Sequence, residues 1–454
     1  MRLFLIFVLF QVLTFNYFAQ CWKEVKSYGS NNIALKEDGS MWSWGVNYFG
    51  ELGTYYETSY SNTFKFTQQV GRDIDWQSIG VGEYFTLAIK KNGTLWSFGN
   101  NNFGQLGVGN YITKSNEPLQ IGQDSDWIQI ATGREHCVAL KKDGTVWVWG
   151  RNNAGQLGLG HNIDEFVPKQ IQLNAAITSV YASEYASFIK EFNGKIHSFG
   201  TNDLGQLGLS NNSSKNIPTP IGLPFFFDQL FCGYNFLFAI NKEQVIHVWG
   251  HNINKVLSTS GSNFTSVNYP IVFGNNSYIS FAGGEQHALG IKNDKTLWSW
   301  GGNTFGQLGI NTTSPSIVPI KIGEENNWKK VSCGTNSSFA INELGELWVC
   351  GHNNSSNLTN SASQNQKKFV KVECPKTVLR ENIFFPNPVQ DIFYFQFEEN
   401  STVFHVEVFD LYSKLRLIDY YPSNSVDLSS LNPGVYVLQF NVDGFFYQHK
   451  VIKI

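Results

Sequence analysis

A phrase of the form W-S-W-G-x-N-x-x-G-Q-L-G returns seven times along the chain at nearly constant spacing. Its first copy is Trp42-Ser43-Trp44-Gly45-Val46-Asn47-Tyr48-Phe49-Gly50-Glu51-Leu52-Gly53. The glycine after the aromatic pair falls at Gly45, Gly99, Gly150, Gly200, Gly250, Gly301 and Gly351, in steps of 54, 51, 50, 50, 51 and 50 residues. A fixed period of this length marks a propeller, a solenoid or an array, and it constrains the fold more than any single residue.

Each unit carries a second landmark upstream, seen best in Gly133-Arg134-Glu135-His136-Cys137-Val138-Ala139-Leu140-Lys141-Lys142-Asp143-Gly144. It reads as a strand, a tight turn and a second strand. Asp38-Gly39, Asn92-Gly93, Asp143-Gly144 and Asn193-Gly194 predict two-residue hairpins with positive φ at both central positions. In the strand that follows, Trp96 and Phe98 share one face while Leu95 and Ser97 take the other. Trp42, Trp147 and Trp298 occupy the same slot as Trp96.

No long stretch shows helical periodicity with capping signals. One unit is a small sheet with two apolar faces and open edges, marginal by itself. Radial stacking covers the faces, and closing the ring protects the edges. The expected fold is all-β: a seven-bladed β-propeller over residues 21–374, followed by a small immunoglobulin-like β-sandwich over 375–454.

These residues resemble the repeat of the regulator of chromosome condensation family, which carries the same G-x-N-x-x-G-Q-L-G phrase and forms seven-bladed propellers. The resemblance spans Trp22 to Glu373. Five copies are clear; those at Gly250 and Gly351 are eroded, which should loosen a turn and leave the blade count intact. The motif is specific for fold and nearly silent on function.

The two ends concern export. Residues 1–20 begin Met1-Arg2, run apolar from Leu3 to Leu13 and end Phe18-Ala19-Gln20, the pattern of a secretory signal peptide. Cleavage after Gln20 leaves Cys21 first, which raises lipidation of that cysteine as an alternative. Beyond a closing strand Phe369 to Cys374 the period breaks. Strands are expected at Phe404 to Leu411, Leu415 to Tyr420, Val435 to Phe440 and Phe445 to Ile454. Phe385-Pro386-Asn387-Pro388, Val406 to Ser413, Leu431-Asn432-Pro433-Gly434-Val435 and the terminal Lys450 to Ile454 resemble the C-terminal sorting domain of the type IX secretion system. That resemblance implies contact with the secretion machinery, passage across both membranes, removal of the tail, and a secreted or outer-surface location.

The 454-residue chain has a formal net charge of −3, with 15% charged residues, and so lacks the basic stripe that a nucleic-acid partner would require. Six cysteines include no C-x-x-C pair. Cys137, Cys232 and Cys333 fall on or beside inner hairpins and read as small core residues. If a disulfide forms, Cys333 with Cys350 is the expected pair, with buried free thiols as the simpler reading.

No P-loop, nucleophile elbow, H-E-x-x-H or EF-hand pattern is present, and neither an enzyme, a metal site nor a cofactor is expected. His136 and His287 share a slot with Phe85, Tyr185 and Phe236 and read as packing residues, with the imidazole bonded to backbone. His197 and His247 replace the tryptophan of the first aromatic slot. His251 and His352 follow the bends of the eroded copies. Glu83, Glu135, Glu184 and Glu285 precede the inner strands; they are either an acidic ring at one mouth or a solvated loop.

The candidate binding residues are Tyr55, Tyr56 and Tyr60 in the longest inter-strand segment, joined by Tyr84, Tyr234 and Asn235 on one face. The expected function is that of a monomeric, exported, surface-displayed module binding an extracellular protein or glycan. The alternatives are inhibition of an extracellular enzyme, as the resemblance to secreted propellers that inhibit β-lactamases implies, guanine-nucleotide exchange, known from nuclear members of the family, and a hydrolase with a dispersed site.

Overall fold

In the computed structural model the described residues are 21–454, apart from 55–62, 223–224, 258–263, 275–276, 354–357, 359–363, 376, 378–382, 386–388, 397–402, 411–413, 421–424 and 443–444. The signal-peptide segment and Pro386, Asn387 and Pro388 therefore lie outside them. The chain forms two compact units, Met1–Gly71 with Asp75–Pro375, and Lys376–Ile454 with Arg72–Ile74.

The first unit holds seven four-stranded antiparallel sheets, each taking its strands in chain order. Blades 1 to 7 span residues 22–69, 76–120, 127–171, 177–220, 229–274, 278–322 and 328–372. Strands within a blade are labelled A to D from the centre outward. The seven A strands are Trp22–Tyr28, Trp76–Gly82, Trp127–Thr132, Ile177–Ala182, Gln229–Cys232, Tyr278–Gly283 and Trp328–Cys333. Each touches the next, and the last touches the first, so the ring is closed.

The repeat phrase supplies the turn after strand C and the joint between blades. Its asparagine is buried and accepts the N–H of the leucine five residues on, in all seven copies from Asn47–Leu52 to Asn353–Leu358. The amide of Asn152 also donates to the carbonyls of His161 and Ile163, so one side chain ties both ends of the connection. In blades 2 to 5 the second aromatic then lies under the final glycine of the preceding phrase. A Cβ on Gly107 would stand 2.9 Å from Trp149, and one on Gly158 would stand 2.8 Å from Phe199. Trp149, Trp249 and Trp300 each donate their indole N–H to a carbonyl of that preceding turn.

The glycine after the aromatic pair has φ of +106° at Gly45 and +100° at Gly301. A side chain at Gly45 would also meet the Ser30 carbonyl at 2.0 Å, so both conformation and space require glycine. In the eroded fifth copy the bracing bond from Leu257 to Asn252 survives, and Lys255 adopts φ +60° where the five clear copies have glycine.

The hairpins differ from the expected two-residue form. Only the glycine has positive φ, and the Gly39 N–H bonds back to Lys36, which is a type I turn closed by a glycine bulge. The Asp38 carboxylate accepts from the Ser40 N–H and hydroxyl, and Asn92, Asp143 and Asp294 repeat this with Thr94, Thr145 and Thr296. Those side chains favour the wider turn.

The expected Cys333–Cys350 pair is not formed: both are buried free thiols, as are Cys137 and, less completely, Cys232. The disulfide joins Cys21 to Cys374 instead, across 353 residues. Cys21 precedes the first strand and Cys374 follows the last, so ring closure alone brings them together. With its sulfur in this bond, Cys21 has no thiol left for lipid attachment. The closing joint repeats the internal ones: Trp22 N–H donates to Gly345 O, just as Trp76 donates to Gly39 and Trp127 to Gly93.

In the second unit, strands Ile383–Phe385, Ile392–Gln396 and Ser425–Asp427 form one sheet. Leu415–Tyr420, Val403–Asp410, Gly434–Val442 and Phe445–Lys453 form the other. Phe393, Phe395, Val406, Val408, Leu438 and Phe440 share one core, as a sandwich requires. Gly434 opens the strand that pairs with the C-terminal one. The first sheet was absent from the expected strand set, because its strands are short and two of them lie before Val403.

Replacing Cys21 and Cys374 together with serine is expected to lower stability by up to about 6 kcal/mol, the chain-entropy ceiling for so long a loop. Denaturant unfolding of the oxidised wild type and the double variant measures it.

Candidate binding face

Strands A and C run toward the same side of the disc, so the A–B loops and the C–D connections share one face. Hydrogen bonds join them within each blade, as from Arg151 N to Glu135 O and from Asn100 N to Tyr84 O.

The A–B loops form a chain around the central mouth. Glu83 N donates to Arg134 O, Arg134 N to Glu184 O, Glu184 N to Tyr234 O, Tyr234 N to Gly284 O, and Glu285 N to Thr335 O. Tyr234 then reaches across to blades 7 and 1. Its ring stacks on Tyr28 at 4.7 Å, its hydroxyl accepts from Gly29 N at 3.2 Å, and it lies 2.7 Å from the Thr335 hydroxyl. The pair stops this end of the axial channel, a cavity of about 360 Å³ lined by the A strands. Tyr234 is buried and serves as a plug, with burial holding its hydroxyl well above the usual tyrosine range.

Three of the four loop glutamates, Glu83, Glu135 and Glu184, resolve into two ion-paired groups. Arg134 bridges Glu83 and Glu184, and the Asn235 amide donates to Glu184 at 2.7 Å. Burial raises the Glu184 carboxyl against the lowering pull of Asn235 and Arg134. Glu135 pairs with Arg151, whose guanidinium covers the Phe103 ring at 4.5 Å.

Tyr84 projects from its loop at φ +63° and packs on Phe49 at 5.3 Å and Tyr48 at 6.3 Å. Tyr55, Tyr56 and Tyr60 continue this same C–D connection in sequence and lie outside the described residues. Around the rim, Tyr48, Tyr111, Ile163 and Phe264 are exposed by 53, 77, 69 and 42% in the C–D connections of blades 1, 2, 3 and 5. Sequence reasoning missed all four. They fall just outside the constant slots, and a large apolar residue in an otherwise polar connection was the available signal.

His136, His287 and His197 are structural. His136 and His287 are fully buried and meet the Ser187 and Ser338 hydroxyls of the next blade at 2.9 Å, side-chain partners that the sequence reading did not name. Burial pulls His136 down to about 3 and His287 down to about 4, so both rings are neutral. His197 pairs with Glu191 at 2.5 Å in the first aromatic slot of blade 4. Among the described residues no cluster of three or more His, Cys, Asp or Glu could hold a metal ion.

Comparison with known proteins fixes the family. Residues 128–386 match the RCC1-like domain, and residues 92–140 and 76–105 match regulator of chromosome condensation repeats. The chain belongs to the RCC1-like domain family. The RCC1-like chain is 26% identical to the ultraviolet-B receptor UVR8 of Arabidopsis thaliana, over 76% of its own length and 81% of the receptor. It is 25% identical to the Mus musculus regulator of chromosome condensation, covering 72% and 71% of the two chains. Yeast RCC1 (Prp20), solved with Kap60, shares the fold at a TM-score of 0.67 and 18% identity, over 82% of this chain and 88% of that one. Human WBSCR16 shares it at 0.66 and 21%, over 75% and 95%. Residues 383–454 match the secretion system C-terminal sorting domain, which implies secretion or an outer-surface location for this RCC1-like propeller.

One RCC1-like slot on this face carries a titratable exception. Gln105, Gln156, Gln206 and Gln307 each accept a backbone N–H through the side-chain oxygen. Blade 1 has Glu51, fully buried, accepting from Tyr48 N at 3.1 Å and Phe49 N at 2.7 Å. Burial pushes its carboxyl up to about 7, against those bonds and the Lys114 charge. A folded value above the unfolded 4.5 means that stability is full below pH 4.5, falls as pH rises to about 7, and stays reduced beyond. Glu51→Gln should therefore leave stability unchanged at pH 4 and raise it at pH 8, by at most about 3 kcal/mol. Denaturant midpoints at the two pH values check this.

Proposed function

We propose that this RCC1-like propeller is an exported, non-catalytic, monomeric binding module. Its partner is an extracellular protein or glycan met on the face that bears the A–B loops and C–D connections. One observation carries this reading: Tyr48, Tyr111, Ile163 and Phe264 stand exposed on that single face, above turns braced by buried asparagines. Exposed aromatic and apolar side chains on rigid supports give contact area at low entropic cost. Tyr84 and Asn235 lie inside this rim, and Tyr55, Tyr56 and Tyr60 continue it in sequence.

The stopped mouth favours a partner that lies across the face over one that threads the axis. The sorting tail counts against nucleotide exchange on a cytosolic GTPase. Inhibition of an extracellular enzyme is a special case of the same face.

The test displays the full chain on its native cell surface with a photo-cross-linker at position 111, beside an array of extracellular glycans. A recurrent partner whose affinity falls at least about tenfold with Tyr48→Ala plus Tyr111→Ala supports the reading. Capture that the double variant leaves unchanged removes this face from it.

A further inference from the structure

On the opposite face four blades share a device built from a lysine and aromatic rings. In blade 3, Lys141 Nζ lies 4.7 Å from the Trp127 ring and 5.0 Å from the Trp147 ring. Asp124 and Asp126 hold its ammonium at 2.7 and 3.3 Å. Blade 2 repeats the arrangement with Lys90 between Trp76 and Trp96, beside Asp75. Blade 6 has Lys292 between Tyr278 and Trp298, and in blade 1 Lys36 covers Trp42. The rings are built to face a cation, and the chain supplies it.

Blade 5 keeps rings and loses the lysine of that slot, while the neighbouring Lys242 stands exposed at the edge of the hollow. Phe227 stands for Trp127, His247 for Trp147 and Asn241 for Lys141. The Phe227 and His247 rings are 5.4 Å apart at 66°, close to the 6.1 Å and 75° of Trp127 and Trp147. Phe225 adds a third wall, 5.8 Å from His247 and 6.2 Å from Phe227. A hollow of about 430 Å³ opens between these rings, Phe226 and the Asn241–Glu243 hairpin, a size usual for small-ligand pockets. Burial lowers the His247 pKa, against the raising pull of a backbone hydrogen bond. Blade 7 also lacks the lysine, having Asn342, but there Phe369 packs on Trp328.

The class of cation follows from what else changed. The carboxylates that bind the lysine N–H groups, Asp124 and Asp126 in blade 3, correspond to Pro224 and Phe226 in blade 5. A primary ammonium placed there would lose hydrogen-bond acceptors on entering. A quaternary ammonium has no N–H to satisfy and is drawn to the faces of desolvated rings. Glu243, exposed beside Lys242 in the same hairpin, supplies a carboxylate at the rim. We propose that blade 5 carries an aromatic cage for an external trimethylammonium group of the choline type, on the face opposite the loop face and independent of the partner proposed there.

The probe is choline chloride, titrated into the full chain by calorimetry against 3,3-dimethylbutan-1-ol, its neutral carbon isostere. Saturable choline binding at least about tenfold tighter than the isostere is expected, because only the cation gains from the ring faces. Phe225→Leu keeps an apolar wall without a π face and should weaken choline several-fold with Tm unchanged. Asn241→Lys restores the internal ammonium of blades 2 and 3 and should abolish binding in a folded protein. Two arms separate the sources of the group: choline in solution reports a free ligand, and co-sedimentation with phosphatidylcholine vesicles reports a lipid headgroup. Absence of saturable binding, equal affinity for the isostere, or full binding by Asn241→Lys overturns the proposal.

Discussion

The propeller depends on one contact between neighbouring blades: an aromatic ring from strand C lying flat under the last glycine of the preceding repeat phrase. Trp149 beneath Gly107 and Phe199 beneath Gly158 show it most directly. The ring buries a large area, the missing Cβ gives it room, and where it is an indole its N–H satisfies a carbonyl of the same turn. The other constant features serve this contact. The buried asparagine holds the turn in place, the positive-φ glycine bends strand C into it, and the side-chain oxygen in the Gln105 slot caps the N–H groups inside. Blade 7 shows the cost of departing from the pattern. Cys350 occupies the ring position, and Phe369 from strand D comes in beside Gly309 to fill the space.

Much of this was legible in the sequence because it repeats. The number of blades, the order of strands and the packing role of the histidines all follow from comparing slots such as Phe85, His136 and His287. The four longer sandwich strands, Val403–Asp410, Leu415–Tyr420, Gly434–Val442 and Phe445–Lys453, show in their alternation. What escaped has physical causes. The Cys21–Cys374 bond joins residues that no local spacing relates, and it exists only because the ring closes. The short strands Ile383–Phe385, Ile392–Gln396 and Ser425–Asp427 carry too few residues for a period to register. Tyr234 looked like a surface ring because its neighbours along the chain are loop residues; its partners Tyr28 and Thr335 come from other blades.

Function was legible only as an address and a scaffold. The sorting tail implies export, and the propeller supplies two faces whose constant slots are spent on packing. Functional variation therefore shows as a departure from a slot or as an exposed ring between slots. Tyr48, Tyr111 and Ile163 are of the second kind and gather on the loop face. Asn241 and His247 are of the first kind and lie on the other. A single chain of repeats acts as its own alignment, and the positions where one blade differs from its siblings are where chemistry beyond folding can be sought.

The Cys21–Cys374 bond makes the propeller a covalent loop as well as a closed disc. A polypeptide cut at any one peptide bond between those cysteines stays in one piece, since the two fragments remain tethered through sulfur. Shedding a blade takes two cuts. Severing the chain beyond Pro375, where the sorting tail is joined, leaves the loop whole. A single nick in the disc therefore separates nothing, and a cut beyond Pro375 would not open the wheel.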